Sequence, residues 1–116
     1  MELPKVISTY LVAKNDRDPV TMLRCFAPGA VVHDAGTAIV GIEKIRTWIE
    51  TANKDDGLTV MPKYVIRQGT DITVTADVFG DFPGSPSAFD YHFTLERQKI
   101  ASLSVNRAKD ADALSN

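Results

Sequence analysis

The chain has 116 residues, 44% of them apolar and 24% charged, which suits one globular domain with an ordinary core. Its formal net charge of −2 and the lack of any Lys/Arg cluster speak against binding to nucleic acid or to an anionic membrane. A single cysteine, no secretory signal pattern and no apolar run near the roughly 20 residues of a membrane span together predict a cytoplasmic protein.

The first half of the chain predicts three helices. Apolar residues recur at intervals of three and four over residues 5–14, where Pro4 suits the first turn. Asp18 can cap a short second helix that ends near Phe26, before Pro28 and Gly29. A third helix is predicted from Ile42 to about Asn53. Residues 30–34 are predicted to be extended, and residues 36–41 to form a loop.

The second half changes to a period of two, which is typical of strands. Strands are predicted over residues 59–67, 72–78, 89–96 and 101–106. Helices followed by a meander of antiparallel strands predict an α+β fold, with the helices on one face of one sheet. The sequence contains no GxGxxG, GxxxxGK[ST], CxxC or HExxH motif. No cofactor and no metal are therefore expected.

Three segments, residues 7–11, 19–34 and 41–48, read ISTYL, PVTMLRCFAPGAVVHD and GIEKIRTW. In this order they resemble the nuclear-transport-factor-2-like superfamily, which includes ketosteroid isomerase and the SnoaL-like polyketide cyclases. The resemblance covers about residues 4–107. It implies a single domain over residues 1–107 followed by a polar tail, 108–116. It also implies a cystatin-like, cone-shaped barrel in which a curved, mostly antiparallel sheet wraps three N-terminal helices, and a homodimer formed through the outer face of the sheet.

The same resemblance implies roles for two residues 24 positions apart, Tyr10 and Asp34. Asp34 takes the position of the family's carboxylate base, which removes a proton from a carbon next to a carbonyl. Tyr10 takes the position of the tyrosine that donates to the developing enolate oxygen. Ketosteroid isomerase also uses a protonated aspartate as a second donor. With the resemblance anchored on His92 and Phe93, that position falls on Tyr91 here. Asp90 is one residue away, but alternation puts it on the opposite face of the strand. Either Tyr91 replaces the aspartate as a donor or the second donor is absent.

The implied pocket would bind a small apolar carbonyl compound. Its wall would include four residues: Trp48, Phe89, Phe93 and Val32. Other interpretations stay open for the catalytic candidates. Asp34 also fits a turn residue at a strand end, and Tyr10 and Tyr91 also fit core aromatics. His33 and His92 fit structural or interface positions, and Cys25 fits an inert buried thiol.

Three functions are consistent with these residues. The first is a cofactor-free isomerase, cyclase or dehydratase that abstracts a proton next to a carbonyl of an apolar substrate. The second is a non-catalytic ligand-binding or accessory dimeric module with the same pocket. The third is a purely structural dimerisation domain, which predicts a filled core and no pocket.

Overall fold

The computed structural model of the chain describes residues 2–55 and 57–108. The helices come first and most of the strands follow, as the periodicity predicts. In chain order the elements are α1 (Lys5–Asn15), α2 (Pro19–Arg24), β1 (Phe26–Asp34), β2 (Thr37–Val40), α3 (Ile42–Asp55), β3 (Thr59–Gln68), β4 (Asp71–Phe79), β5 (Ser87–Glu96) and β6 (Lys99–Arg107).

The strands of this part of the chain form one sheet in the order β2-β1-β6-β5-β4-β3. Every neighbouring pair is antiparallel except β1 and β6, which run parallel. The core lies between the helices and the inner face of the sheet. Each inner strand alternates buried and more exposed residues; on β4, Ile72, Val74 and Ala76 point inward. The predicted α+β class with a mostly antiparallel sheet is confirmed.

Helix α1 is positioned by its apolar face and by a clamp at its C-terminal end. Ile7, Tyr10 and Leu11 are buried, as expected for the i, i+3, i+4 positions of a core-facing helix. The Asn15 side chain donates to the Val60 carbonyl at 2.9 Å and accepts from the Val60 N–H at 2.8 Å. This pair of bonds satisfies backbone groups of β3 and attaches the end of the helix to the sheet.

The prediction of a loop over residues 36–41 was wrong in part, because residues Thr37–Val40 form strand β2. They pair with β1 through a two-residue turn, in which Ala35 and Gly36 both have positive φ angles of 50° and 80°. Such a turn is typical of a tight hairpin. Its first position is usually glycine, asparagine or aspartate, so the Ala35 found there does not indicate a turn in the sequence.

The boundary between α2 and β1 also differs from the prediction. The helix ends at Arg24, and the chain is extended from Phe26 onward. Pairing with β6 jumps from Phe26 opposite Ile100 to Val31 opposite Ser102. Pro28 lies within this irregular stretch, where its missing N–H removes a ladder donor. The strand is therefore longer than residues 30–34 but is interrupted near its start.

Strand β3 contains a bulge that reverses the direction of its side chains. Alternation along the sequence puts Val60, Tyr64 and Ile66 on one face. In the structure the register against β4 shifts between Pro62 and Tyr64. One extra residue exchanges the two faces of a strand. Val60 is therefore fully buried, whereas Tyr64 and Ile66 are 61% and 60% exposed.

Ala108 is buried, and its N–H donates to the Ala88 carbonyl at 3.0 Å. The rest of the expected polar tail lies outside the described residues. Among the described helices, none is long and apolar enough to cross a membrane. Within residues 2–55 and 57–108, no cluster of His, Cys, Asp and Glu has the arrangement of a metal site.

Candidate active site

A cavity of about 190 Å³ lies beside the C-terminal half of α1, between α3 and the inner face of the sheet. It brings together five of the seven residues that the sequence predicts for the site. Those residues are Tyr10, Asp34, Trp48, Phe89 and Tyr91. They come from α1, β1, α3 and β5, so the fold and not the chain order makes them neighbours.

Asp34 is the last residue of β1 and is half-buried. The Trp48 indole Nε1–H donates to its Oδ2 at 3.0 Å. In the part of the chain that the structure describes, this is the one hydrogen bond to the carboxylate. The indole fixes the orientation of the carboxylate, and lone pairs on Oδ1 stay available to take a proton. A carboxylate held in an apolar cavity by one donor has the geometry that a base needs.

Tyr10 and Tyr91 place their rings in the cavity wall, and each is almost fully buried, with 1% and 4% exposure. The Tyr10 ring meets Phe26 and Phe93 edge to face, at centroid distances of 5.5 and 6.0 Å. The Tyr91 ring stacks on Phe93 at 6.4 Å. Aromatic contacts of this kind restrict the rings and so fix the position of both hydroxyls.

Phe93 and Val32 lie in the core and do not line the cavity, although the sequence predicts them as substrate-binding residues. Phe93 is 1% exposed and Val32 is 0% exposed. Both point inward, as the strand alternation predicts. The Phe93 ring packs against the rings of both Tyr10 and Tyr91.

Five further residues line the cavity that the sequence did not single out: Lys14, Ala52, Leu58, Val78 and Val105. Helical spacing gives a signal for two of them, because Lys14 follows Tyr10 and Ala52 follows Trp48 at i+4. Val105 lies opposite Tyr91 in the sheet register, so only the tertiary structure could identify it as a lining residue. Leu58 packs so closely on Gly80 that a Cβ there would overlap the leucine side chain.

The remaining titratable candidates lie elsewhere. His33 is exposed, and His92 Nδ1 is 2.9 Å from the Thr73 hydroxyl on the outer face of the sheet. Cys25 is buried, and its thiol contacts the Thr21 carbonyl at 3.4 Å. Burial raises the pKa of this thiol, and the nearby Lys99 charge offsets the increase in part. A protonated thiol of this kind is a poor nucleophile.

The family model for the SnoaL-like domain matches residues 7–103. A candidate polyketide cyclase from Sinorhizobium meliloti is similar with 34% identity and a TM-score of 0.85, over 90% of this chain and 95% of that one. No protein with a curated description matches.

Two more distant structures share the fold. One is a protein with a ketosteroid isomerase-like fold from Catenulispora acidiphila, in complex with trimethylamine, at 18% identity and a TM-score of 0.80, over 95% of this chain and 90% of that one. The other is TerC co-crystallised with polyporic acid, at 16% identity and a TM-score of 0.76, over 95% of this chain and 94% of that one.

Proposed function

This chain belongs to the SnoaL-like domain family, and on that premise we propose that it is a cofactor-free enzyme that abstracts a proton next to the carbonyl of a small apolar substrate. The reaction is an isomerisation, a cyclisation or a dehydration. The observation that carries the proposal is the Asp34 carboxylate, held by Trp48 at 3.0 Å in an apolar cavity that Tyr10 also lines.

Isomerisation illustrates the chemistry in two balanced steps. Asp34 takes a proton from the carbon next to the carbonyl. The electron pair of that C–H bond forms a double bond to the carbonyl carbon, and the π pair of the C=O bond moves to the oxygen. Tyr10 donates its hydroxyl hydrogen bond to the resulting enolate. The protonated Asp34 then returns the proton to a conjugated carbon, and the carbonyl re-forms. No cofactor is consumed and the base is regenerated.

Two further groups stabilise the enolate. Lys14 is the one cation among the described residues that line the cavity, and its positive charge lowers the energy of a negative intermediate. The effect is greatest where the surroundings are apolar, because little water screens the charge. Tyr91 takes the place of the family's protonated aspartate and supplies a second neutral donor.

The size and lining of the cavity support a substrate of one class. About 190 Å³ bounded by Trp48, Phe89, Leu58, Val78 and Val105 fits a compact, largely apolar molecule. The similarity at 34% identity to a candidate polyketide cyclase supports a carbonyl-bearing substrate of this kind.

The test is isomerisation of cyclohex-3-en-1-one to the conjugated enone, followed by ultraviolet absorbance, together with α-deuterium exchange followed by NMR. Asp34→Asn keeps an acceptor for Trp48 but removes the base, so the rate should fall by about 10²–10⁴-fold. Asp90→Asn is the matched control, because Asp90 is a half-buried strand carboxylate that accepts one bond, from Thr75 at 2.6 Å, outside the cavity. Equal rates for wild type and Asp34→Asn would refute the proposal.

A second candidate function is a ligand-binding module without chemistry. The observation in its favour is that Tyr91 occupies the position of the protonated aspartate that ketosteroid isomerase uses as its second hydrogen-bond donor. In that case cyclohex-3-en-1-one binds, neither wild type nor Asp34→Asn converts it, and the two proteins bind it with equal affinity.

A homodimer through the outer face of the sheet is the second part of the proposal. We define the outer patch as Met61, Tyr64, Ile66 and Phe79, whose side chains are 53%, 61%, 60% and 41% exposed. These residues share one face of β3 and β4, since Met61 pairs with Asp77 and Ile66 pairs with Thr73. Apolar residues gathered in this way are typical of a surface that another protein covers.

Light scattering after size exclusion tests the dimer. The Tyr64→Lys/Ile66→Lys double variant should be monomeric, because two charges cannot be buried without partners. Val20→Lys is the matched control, since Val20 is 58% exposed on α2 and lies off the patch. A wild type that is monomeric at micromolar concentration contradicts this part of the proposal.

A further inference from the structure

A second and larger cavity, of about 710 Å³, lies at the other end of α1. We propose that it is a binding site for an anion of the phosphate type that carries a compact aliphatic body. This site is separate from the Asp34 cavity, since the two share no lining residue among those described.

Positive charge is concentrated around this cavity. Five of the 13 Lys and Arg residues of the chain line it: Lys5, Arg24, Arg67, Arg97 and Lys99. Of the described residues in its lining, none is a carboxylate. The chain as a whole carries a net charge of −2, so this local excess runs against the overall balance. A concave surface lined by one sign of charge concentrates counter-ions.

The tertiary structure assembles the five cations from α1, α2, β3, the turn after β5 and the start of β6. No ion pair joins any of them to a carboxylate within residues 2–55 and 57–108. Nearby carboxylates exist. Glu96 lies opposite Lys99 in the register. The pKa of Asp18 is lowered chiefly by its hydrogen bonds from Thr21, and the Arg24 charge adds to that lowering. Neither carboxylate lines the cavity.

Like charges held together repel one another, and an anion relieves that repulsion. The Lys99 ammonium also donates to the Arg24 carbonyl at 2.5 Å, which fixes one cation at the edge of the cavity. The first turn of α1 contains no acidic residue that would offset the positive end of the helix. The five cationic side chains supply most of the positive potential in the cavity, and the N-terminal end of α1 adds to it.

The chemistry of the lining selects among anions. Three of the five cations are arginines, whose planar forks bind phosphate oxygens in pairs. Pro4, Val6 and Leu95 give the rest of the surface an aliphatic character. The described lining contains no aromatic residue on which a nucleobase could stack. The volume is in the range of sites for small molecules. Without an aromatic surface for a base, an alkyl phosphate fits better than a nucleotide.

Calorimetric titration with inorganic phosphate, hexyl phosphate and hexanol tests the site. Hexyl phosphate should bind saturably and about tenfold more tightly than inorganic phosphate, because its chain leaves water. Its affinity should fall as ionic strength rises. Hexanol should not bind measurably. Equal affinities for the two phosphates would overturn the aliphatic part of the proposal, and no saturable binding of either would overturn the site.

The variant Arg67→Gln/Arg97→Gln should lose about tenfold or more in affinity for hexyl phosphate, because charge-assisted bonds are lost. Lys44→Gln/Arg46→Gln removes the same charge from the exposed face of α3 and should stay within about twofold of wild type. Equal losses in the two variants would mean general attraction and would overturn the site. NMR should show shifts at Leu95 and Thr9 and none at the Trp48 indole N–H; the reverse pattern would contradict the location.

Discussion

The two ends of helix α1 face cavities with opposite chemistry. Tyr10 and Lys14, on the C-terminal half, line a small cavity with aromatic walls and one oriented carboxylate. Lys5 and Thr9, on the N-terminal half, line a larger cavity surrounded by five cations. One helix therefore borders both cavities, because its N-terminal and C-terminal turns lie against different parts of the sheet. The first cavity suits proton transfer and the second suits charge recognition.

The largest expected effect is on the isomerisation rate, and the same variant tests whether the two cavities act independently. Asp34→Asn should lower the isomerisation of cyclohex-3-en-1-one by about 10²–10⁴-fold. The affinity for hexyl phosphate should stay within about twofold of wild type, since Asp34 does not line the cationic cavity. Rate assay and calorimetry on one preparation make the comparison. Loss of both properties would show that the two ends are not independent.

Removing a donor at the aromatic end should have the next largest effect. Tyr10→Phe removes the hydroxyl and keeps the ring contacts with Phe26 and Phe93. The isomerisation rate should fall by about 10²-fold, as for other oxyanion donors. Urea unfolding of the same variant separates this loss from any loss of stability. An unchanged rate would remove Tyr10 from the mechanism.

The clamp between α1 and β3 should affect stability. Asn15→Ala removes bonds of 2.9 and 2.8 Å and leaves two backbone groups of Val60 without these partners. The free energy of unfolding should fall by about 1–3 kcal/mol. Asn106→Ala, at an exposed position on β6, should change it by less than about 0.5 kcal/mol. Equal unfolding curves for Asn15→Ala and wild type would show that the clamp contributes nothing.

Cys25, which lines the cationic cavity, should make the folding stability of the protein depend on pH in the alkaline range. Burial raises the pKa of its thiol above the ordinary value of 9.0. As pH rises past 9.0, the unfolded chain loses the proton while the folded chain keeps it, so folding stability falls. Wild type should lose stability above that pH more steeply than Cys25→Ala in thermal unfolding. Parallel curves for the two proteins would contradict the raised pKa.

The smallest effect is spectroscopic and identifies which cavity is occupied. Trp48 is the only tryptophan of the chain and lines the Asp34 cavity. Its emission should change when cyclohex-3-en-1-one binds, because the indole environment changes. It should not change with hexyl phosphate, which binds among residues at the other end of α1. A response to hexyl phosphate alone would reverse the assignment of the two sites.

Local pattern predicted much of the fold and part of the candidate site. Periods of three to four and of two located α1, α3 and the four long strands of the second half, because these periods depend on near neighbours in sequence. Tyr10, Asp34 and Trp48 came from short segments that resemble a known family. Strand β2 was missed because Ala35 occupies a turn position with a φ of 50°, where glycine or asparagine would have given a signal.

What the sequence determined by itself was the α+β class, the order of the main elements and the residues proposed for carbon-acid chemistry. The tertiary structure decided the rest. A bulge near Lys63 turned Tyr64 and Ile66 outward, which no alternation pattern predicts. Lys5 and Lys99 reached one cavity although almost the whole chain separates them. Periodicity depends on adjacent residues, whereas a cavity depends on which distant residues the packed core brings together.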